Sequence, residues 1–196
     1  DTTVDEDGFE CDDIELVSQW IAYTLTNIIE ERVYDIQGVN FSTYGASLAY
    51  LDENGKLLTP IYNYLKDVGR TFEDDLFQNN GGAEEFCRRT ASPSLGVLLN
   101  SGIQALWLKN QKPEVYSNVK NILHFPQYLS YILAGEVVSE PTSIGCHTYM
   151  WDFDNMKYHN WVEEQQIPLP EPILNSTVFP ASQENNTFKV GVGIHD

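Results

Sequence analysis

The chain ends in Gly191-Val192-Gly193-Ile194-His195-Asp196, a short apolar stretch followed by a His-Asp pair. This pattern predicts a short buried strand over residues 190–194. In open α/β sheets, ligands lie outside the carboxyl ends of the strands, and a carboxylate at such a place is a candidate general base. We therefore expect Asp196 to belong to an active site, and the chain to be part of a larger enzyme.

Helix and strand signals alternate along the rest of the chain. Apolar positions at helical spacing follow Asp12 and Asp13, either of which can cap a helix that runs to about Glu31. Further helices are predicted over residues 101–110, from 113, over 126–134 and over 158–166, with short helices and a loop over 67–83. Strands are predicted over residues 33–41, 46–51, 56–64, 121–125, 142–151, 178–179 and 190–194. This alternation is typical of an α/β layered domain.

The strongest local signal is Asp52-Glu53-Asn54-Gly55, which predicts a tight turn between strands 46–51 and 56–64. Residues 42–45 are predicted to end the strand over residues 33–41, before this hairpin. The helix over residues 126–134 is expected to begin at Pro126 and to end at Gly135, the residue types that favour those two positions.

Composition excludes several classes of function. The chain has 196 residues, of which 42% are hydrophobic, enough for one domain with a sizeable core. Its 11 basic and 29 acidic residues give a net charge of −18, which repels phosphate backbones and anionic lipid. We therefore expect no nucleic-acid partner and no membrane partner, and no apolar run is long enough to span a bilayer.

The cysteines and histidines indicate a reduced protein without a metal site. Three cysteines occur at wide, unpatterned spacings: Cys11, Cys87 and Cys146. This pattern is typical of cytoplasmic thiols and differs from a disulfide framework. His124, His147 and His159 have no ligand-like spacing with Cys146 or with the carboxylates, so we expect no metal ligands among them. Since no signal-like apolar segment is present, the predicted compartment is the cytoplasm.

Three stretches together resemble the first domain of the FGGY carbohydrate kinases. The first is residues 39–60, which end in the hairpin sequence LDENGKLLTP. The second is residues 126–136, PQYLSYILAGE, with Thr142-Ser143 and Trp151-Asp152 after it. The third is residues 193–196, GIHD. In this order, the motifs extend the resemblance from about residue 12 to the end of the chain.

The resemblance implies a fold, a reaction and a role for the His-Asp pair. The family has two actin-like, ribonuclease H-like domains, each with a mixed sheet flanked by helices; the first binds the sugar and the second binds most of ATP with Mg²⁺. Asp196 matches the aspartate that accepts the proton of the attacking hydroxyl, and His195 would donate to a sugar hydroxyl. A His-Asp pair is more similar to the L-rhamnulose and L-fuculose kinases than to xylulose kinases, which have glycine before the aspartate. Alternatively, Asp196 caps a following helix and a backbone carbonyl holds His195.

The corner at residues 42–45 is the second candidate site. Some FGGY relatives have threonine-tryptophan-glycine here; Thr43 and Gly45 match this pattern, and Tyr44 replaces the tryptophan. Tyrosine offers a flat apolar face and a hydroxyl to a sugar ring; alternatively, Tyr44 is a packed loop aromatic. Ser42 stands where rhamnulose kinases have aspartate, which leaves the exact sugar open. Asn63-Tyr64 aligns loosely with a tryptophan-aspartate pair that many relatives use for the sugar.

Two expected parts of an FGGY kinase have no match in this sequence. Nothing supplies the aspartate-glycine-threonine phosphate loop of the first strand, and no ATP domain follows. We therefore expect residues 1–196 to be an incomplete N-terminal sugar-binding domain that cannot turn over ATP alone. Missing strands would expose a sheet edge, which a second copy in a homodimer, or another part of the protein, would cover.

The predicted function is ATP-dependent phosphorylation of a sugar, a ketose or 6-deoxyketose, by the full-length protein. The alternative is a non-catalytic sugar-sensing or actin-like protein on the same fold. A glycosidase would require two facing acids, and the adjacent acid pairs of the chain lie in polar helical segments that predict solvated faces.

Overall fold

The structure, a computed structural model, describes residues 2–182 and 188–196. It is an α/β arrangement, as the alternating signals predict. The helices are α1 Ile14–Glu31, α2 Thr71–Asn79, α3 Ala83–Thr90, α4 Ser101–Gln111, α5 Pro113–Tyr116, α6 Phe125–Ala134, α7 Pro141–Ile144 and α8 Asn160–Glu164. The strands are β1 Thr2–Val4, β2 Glu10–Asp12, β3 Gly38–Val39, β4 Ser42–Thr43, β5 Leu48–Leu51, β6 Asn121–His124, β7 Trp151–Asp152, β8 Lys157–Tyr158, β9 Val178–Pro180, β10 Lys189–Gly191 and β11 Ile194–His195.

Helix α1 confirms the predicted cap, whereas the strand predicted after it is mostly wrong. The carboxylate of Asp13 accepts a hydrogen bond from the backbone N–H of Leu16 at 3.1 Å, and Arg32 ends the helix with a φ of 54°. Of residues 33–41, only the two residues of β3 form a strand, and Val33 and Tyr34 are exposed. Because Arg32 turns the chain into a loop, these apolar residues lie on the surface instead of in a sheet.

The turn at residues 52–55 is confirmed, but its predicted partner strand is wrong. The carboxylate of Asp52 accepts hydrogen bonds from the N–H groups of Asn54 and Lys56, at 2.8 and 2.9 Å. Residues 56–64 contribute only isolated bridges at Leu57 and Ile61. Pro60 lacks the N–H that a continuous ladder needs. Strand β5 pairs instead with β6, antiparallel, with Leu48 opposite His124.

The strand predicted over residues 142–151 is also wrong for most of its length. Helix α7 covers its beginning, because the buried carboxylate of Glu140 caps the N–H groups of Thr142 and Ser143, both at 2.7 Å. Only Trp151 of the predicted range lies in a strand, in the hairpin of β7 and β8. Local capping thus overrides a β-like composition.

The central strands separate two layers of helices. In β5, the side chains of Leu48 and Tyr50 pack into one apolar cluster with α4, whereas Ala49 and Leu51 pack into another with α1 and α6. Because successive side chains of a strand point to opposite faces, one strand supplies both cores. Parallel and antiparallel pairs both occur, and the described strands form five small sheets, of which β3–β10–β9 is mixed.

The last predicted strand is divided at Gly193 into β10 and β11. Gly193 has a φ of 78°, and a Cβ there would lie 2.2 Å from the backbone oxygen of Pro126 at the start of α6. Only glycine fits both conditions. The division allows β11 to leave β10 and pair with β4. No helix in the described part of the chain is long and apolar enough to cross a membrane.

Candidate functional site

The parallel pairing of β4 with β11 brings four of the predicted site residues together. Ser42 lies opposite Ile194, and Thr43 lies opposite His195. The backbone N–H of Asp196 then donates to the carbonyl of Thr43 at 3.1 Å. We call Ser42, Thr43, His195 and Asp196 the terminal wall. The wall consists of two neighbouring pairs that lie about 150 residues apart in the sequence, and backbone pairing brings the two pairs together.

The side chains of Asp196 and His195 lie side by side, with Oδ1 of Asp196 3.7 Å from Nδ1 of His195. The Asp196 side chain is 63% exposed, against 16% for His195. The Nδ1 of His195 lies 2.9 Å from the backbone oxygen of Asp196, so a carbonyl does hold this ring, as the alternative interpretation expects. A ring with Nδ1–H donating to a carbonyl still presents Nε2 to a ligand.

The absence of a side chain at Gly45 leaves the space that the His195 ring occupies. A Cβ on Gly45 would lie 2.2 Å from Cδ2 of His195, which is closer than atoms can approach, and 3.3 Å from Nε2. The imidazole therefore packs directly over the glycine backbone. The glycine in the corner at residues 42–45 is thereby explained by the needs of the neighbouring strand.

A buried carboxylate supports the terminal wall from behind, and sequence reasoning missed it. The backbone N–H of His195 donates to Oγ1 of Thr142 at 3.0 Å, and that hydroxyl donates to Oε1 of Glu140 at 2.6 Å. Glu140 is fully buried. Gln127, also buried, donates to the carbonyl of Gly193 at 2.8 Å. Thr142 lies in a family-like motif, but nothing local in the sequence connects Glu140 to the His-Asp pair.

The other predicted site residues are Tyr44, Tyr64 and Asn63. We call these three residues the aromatic wall, after the two tyrosine rings. The ring of Tyr44 packs between Tyr64 and Phe125, with centroids 5.3 and 5.1 Å away. The Tyr44 hydroxyl donates to the carboxylate of Asp12. Burial, and then the bond to Asp12, raise the pKa of Tyr44 well above its usual value. Tyr44 is thus a packed loop aromatic, as the alternative interpretation expects, and its contact with a sugar stays a prediction.

Asn63 is partly committed to its own loop. Its Oδ1 accepts a hydrogen bond from the N–H of Leu65 at 2.9 Å. The Asn63 side chain is therefore fixed by a local turn, and Tyr64 is fixed by its contact with Tyr44. The aromatic wall is consequently a preformed surface, in which the Tyr44 hydroxyl and Oδ1 of Asn63 bond within the protein.

Three histidines and one cysteine meet near the terminal wall, which spacing in the sequence did not predict. One ligand atom each of Cys146, His147 and His195 lies within 4.8 Å of the other two. His124 is buried behind them, with Nε2 3.1 Å from Oγ of Ser101. Burial, and then the charges of His195 and His147, lower the pKa of His124 to about 3. His124 is therefore neutral at pH 7, and its role is in packing.

The arrangement can bind and activate a hydroxyl group. An exposed carboxylate lies at the end of a strand, beside an imidazole and the hydroxyl-bearing strand β4. Such a carboxylate can accept a proton from a bound hydroxyl, and the aromatic rings beside it can pack against the apolar face of a sugar.

Comparison with known proteins identifies the family. The model of the N-terminal domain of the FGGY family of carbohydrate kinases matches residues 2–185. The chain belongs to the FGGY family. Two curated relatives are rhamnulokinases. That of Mannheimia succiniciproducens is 27% identical over 203 residues, which cover 98% of this chain and 40% of the relative. That of Yersinia pestis (strain Angola) is 26% identical over 159 residues, which cover 78% of the chain and 32% of the relative.

Solved structures of FGGY-type sugar kinases share the fold. A carbohydrate kinase from Novosphingobium aromaticivorans superposes with a TM-score of 0.84 at 23% identity, over 98% of this chain and 42% of that one. The ligand-bound xylulose kinase from Lactobacillus acidophilus gives a TM-score of 0.81 at 21% identity, over 95% of this chain and 40% of that one. This FGGY chain thus spans about 40% of the length of such relatives.

Proposed function

We propose that this chain is the N-terminal, sugar-binding domain of an ATP-dependent kinase of a ketose or 6-deoxyketose, with the actin-like, ribonuclease H-like fold. The observation that carries the proposal is the terminal wall: an exposed carboxylate at the end of β11, beside His195 and the hydroxyls of β4. The family and the curated rhamnulokinases similar to the chain support the same reaction.

Asp196 is the proposed base. In phosphoryl transfer, the oxygen of a sugar hydroxyl forms a bond to the γ-phosphorus of ATP while the bond from that phosphorus to ADP breaks. The hydroxyl proton passes to the carboxylate of Asp196. The backbone bond from the Asp196 N–H to the Thr43 carbonyl fixes this carboxylate next to β4, where the sugar would lie.

The neighbouring residues orient the sugar. The donor role that the resemblance implies for His195 is reversed here: because its Nδ1 bonds to a carbonyl, the neutral ring presents Nε2 as an acceptor for a sugar hydroxyl. On the facing strand, Ser42 and Thr43 are the proposed sugar contacts. The Thr43 hydroxyl donates to the carbonyl of Tyr44 at 2.8 Å, so towards the sugar it would act as an acceptor. Tyr44 and Tyr64 offer ring surface suited to the apolar methyl group of a 6-deoxyketose, and Asn63 borders these rings. Holding the hydroxyl in reach of the base accounts for a large share of the rate in such reactions.

ATP and Mg²⁺ are assigned to the part of the enzyme outside this chain. In residues 2–182 and 188–196, the only group of three potential ligands close together is a thiol with two imidazoles. Mg²⁺ prefers oxygen ligands, so this group does not fit it. No step of the proposed mechanism therefore assigns a residue of this chain to the metal.

We also propose cytoplasmic location and no nucleic-acid or membrane partner. The three cysteines are free thiols, which supports a reducing compartment. A net charge of −18 supports the absence of polyanionic partners. Self-association to a homodimer remains part of the proposal, because α1 leaves Trp20 and Tyr23 exposed, at 66% and 69%.

The test is coupled ADP release by the full-length protein with L-rhamnulose, L-fuculose, D-xylulose, L-ribulose and glycerol. We expect strong release with one ketose. No ADP release with any of the sugars, from a folded protein that still binds ATP, would favour a non-catalytic sugar-sensing or actin-like protein. As a control, the 196-residue chain alone should release no ADP with any ketose, and detectable release would contradict the division of labour between the domains.

A further inference from the structure

Residues from two distant parts of the chain form a cluster with metal-binding side chains. The thiol of Cys146 and one ring nitrogen each of His147 and His195 lie within 4.8 Å of one another, and all three residues are half-buried. We propose that these three side chains bind a borderline-soft divalent ion, with Zn²⁺ as the ion of choice. This site is distinct from the Mg²⁺ that accompanies ATP, because one thiolate and two imidazoles select zinc-like ions.

Both imidazoles are oriented as metal ligands usually are. The Nδ1 of His147 lies 3.0 Å from the backbone oxygen of Leu99, and the Nδ1 of His195 lies 2.9 Å from that of Asp196. Because a carbonyl only accepts, each Nδ1 carries the proton, and each Nε2 keeps its lone pair. Metal-binding histidines typically have such a second bond, which fixes the tautomer and the ring orientation.

The backbone at His147 is held in a costly conformation. Its φ is 42°, in the left-handed region that residues other than glycine rarely adopt. The fully buried Asn100 donates from Nδ2 to the His147 carbonyl at 2.9 Å and keeps the backbone there. With this backbone conformation, the ring centroid of His147 lies 5.7 Å from that of His195.

Small movements of the three side chains would bring their ligand atoms to the separations that a zinc ion requires. In a tetrahedral zinc site, two ligand atoms are separated by roughly 3.5 Å. A pair at 4.8 Å must therefore approach by about 1 Å, which a small rotation of half-buried side chains can provide. On binding, the Cys146 thiol releases its proton to solvent and ligates as thiolate. Three protein ligands leave the fourth position of a tetrahedral zinc ion to water.

The shared residue connects this site to the sugar site. If His195 binds the ketose, as the proposed function holds, zinc and ketose compete for its Nε2. Zinc would then inhibit the kinase reversibly, with a higher KM for the sugar and an unchanged kcat.

The primary test is cobalt binding by the 196-residue chain, which requires neither ATP nor sugar. We expect titrated Co²⁺ to give thiolate-to-cobalt charge transfer and the intense visible bands of a tetrahedral site, and Zn²⁺ to displace it. Cys146→Ser should remove the charge transfer, and His147→Asn should weaken binding by about 10-fold or more. Asn tolerates the left-handed backbone of His147, so the second variant keeps the fold.

Cys87→Ser is the matched control, since Cys87 is another half-buried free thiol. Its spectrum should equal that of the unaltered chain. Absence of charge transfer in the unaltered chain, or equal loss in Cys87→Ser and Cys146→Ser, would overturn the zinc site. In the full-length protein, zinc that binds without raising the KM of the sugar would leave the metal site standing and would remove His195 from the sugar site.

Discussion

The terminal wall and the aromatic wall differ in what holds them. In the terminal wall, backbone groups make the positioning bonds: His195 N–H to Thr142, and Asp196 N–H to Thr43. The carboxylate of Asp196 stays exposed. In the aromatic wall, side chains make the bonds, since the hydroxyl of Tyr44 donates to Asp12. We therefore expect the terminal wall to carry out the proton transfer, and the aromatic wall to provide the surface against which the sugar packs.

This difference predicts different effects for substitutions in the two walls. Changes that move the side chains of the terminal wall should lower turnover in the full-length protein. Changes in the aromatic wall should mainly alter stability or sugar affinity, because the Tyr44 hydroxyl and Oδ1 of Asn63 already have partners within the protein.

Among substitutions that leave the Asp196 carboxylate in place, the largest effect is expected from Gly45→Ala. The new methyl would lie 2.2 Å from Cδ2 of His195 and must displace the ring. Because a misplacement of about 1 Å can cost 10²-fold in rate, we expect kcat/KM for the ketose to fall by about 10²-fold. Gly38→Ala is the control, since its methyl would meet only the Lys189 carbonyl, at 3.4 Å. Equal activity of the two variants would show that the His195 position is unimportant.

Glu140→Gln should destabilise the support of the terminal wall. The Glu140 carboxylate accepts hydrogen bonds from both N–H groups that begin α7 and from the hydroxyl of Thr142. Loss of charge-assisted bonds in a buried place should lower the free energy of unfolding by about 2 kcal/mol, measured by urea denaturation. Glu136→Gln, on the exposed side of the same segment, should change it little. Similar losses in both variants would contradict the support role.

His124 should make stability depend on pH. Its pKa is lowered from 6.5 to about 3 by burial and by the neighbouring histidines. Between these two values the unfolded state binds one more proton than the folded state, so stability falls as pH falls, by up to about 1.4 kcal/mol per pH unit. Comparing the unfolding free energy of the unaltered chain with that of His124→Gln, from about pH 7 to about pH 5, isolates this residue. Identical pH slopes would contradict its buried, neutral state.

The smallest effect is expected from Tyr44→Phe. The variant loses one hydrogen bond to Asp12 but keeps the ring between Tyr64 and Phe125. We expect a loss of about 1 kcal/mol in the free energy of unfolding, with the KM of the sugar nearly unchanged. Tyr23→Phe, on the exposed face of α1, serves as the control. A large rise in KM would instead give the Tyr44 hydroxyl a direct role in sugar binding.

Local signals predicted much of the secondary structure. The Asp13 cap, the turn at residues 52–55 and the end of α6 at Gly135 each depend on a few neighbouring residues, and each is present. Strand pairing was not predictable in the same way. The pairing of β5 with β6 instead of residues 56–64 depends on burial of both faces of β5 between two helix layers.

The same distinction applies to the candidate site: sequence motifs predicted some of its residues, and only the fold revealed the others. Resemblance to a family drew attention to Asp196, His195 and the corner at residues 42–45, and the fold places the His-Asp pair beside that corner. Glu140 and the cluster of Cys146 with His147 were missed, because their partners lie 48 to 55 residues away and only the fold brings them together.

The most direct test of the central claim is the kcat of the full-length protein with Asp196→Asn, compared with Glu53→Gln. Both replace an exposed carboxylate by an amide, but Glu53 lies in the turn at residues 52–55. If Asp196 is the base, its variant should lose about 10²- to 10⁴-fold in kcat while the KM of the sugar and the stability change little, and Glu53→Gln should keep full activity. An Asp196→Asn protein with unchanged kcat would contradict the account.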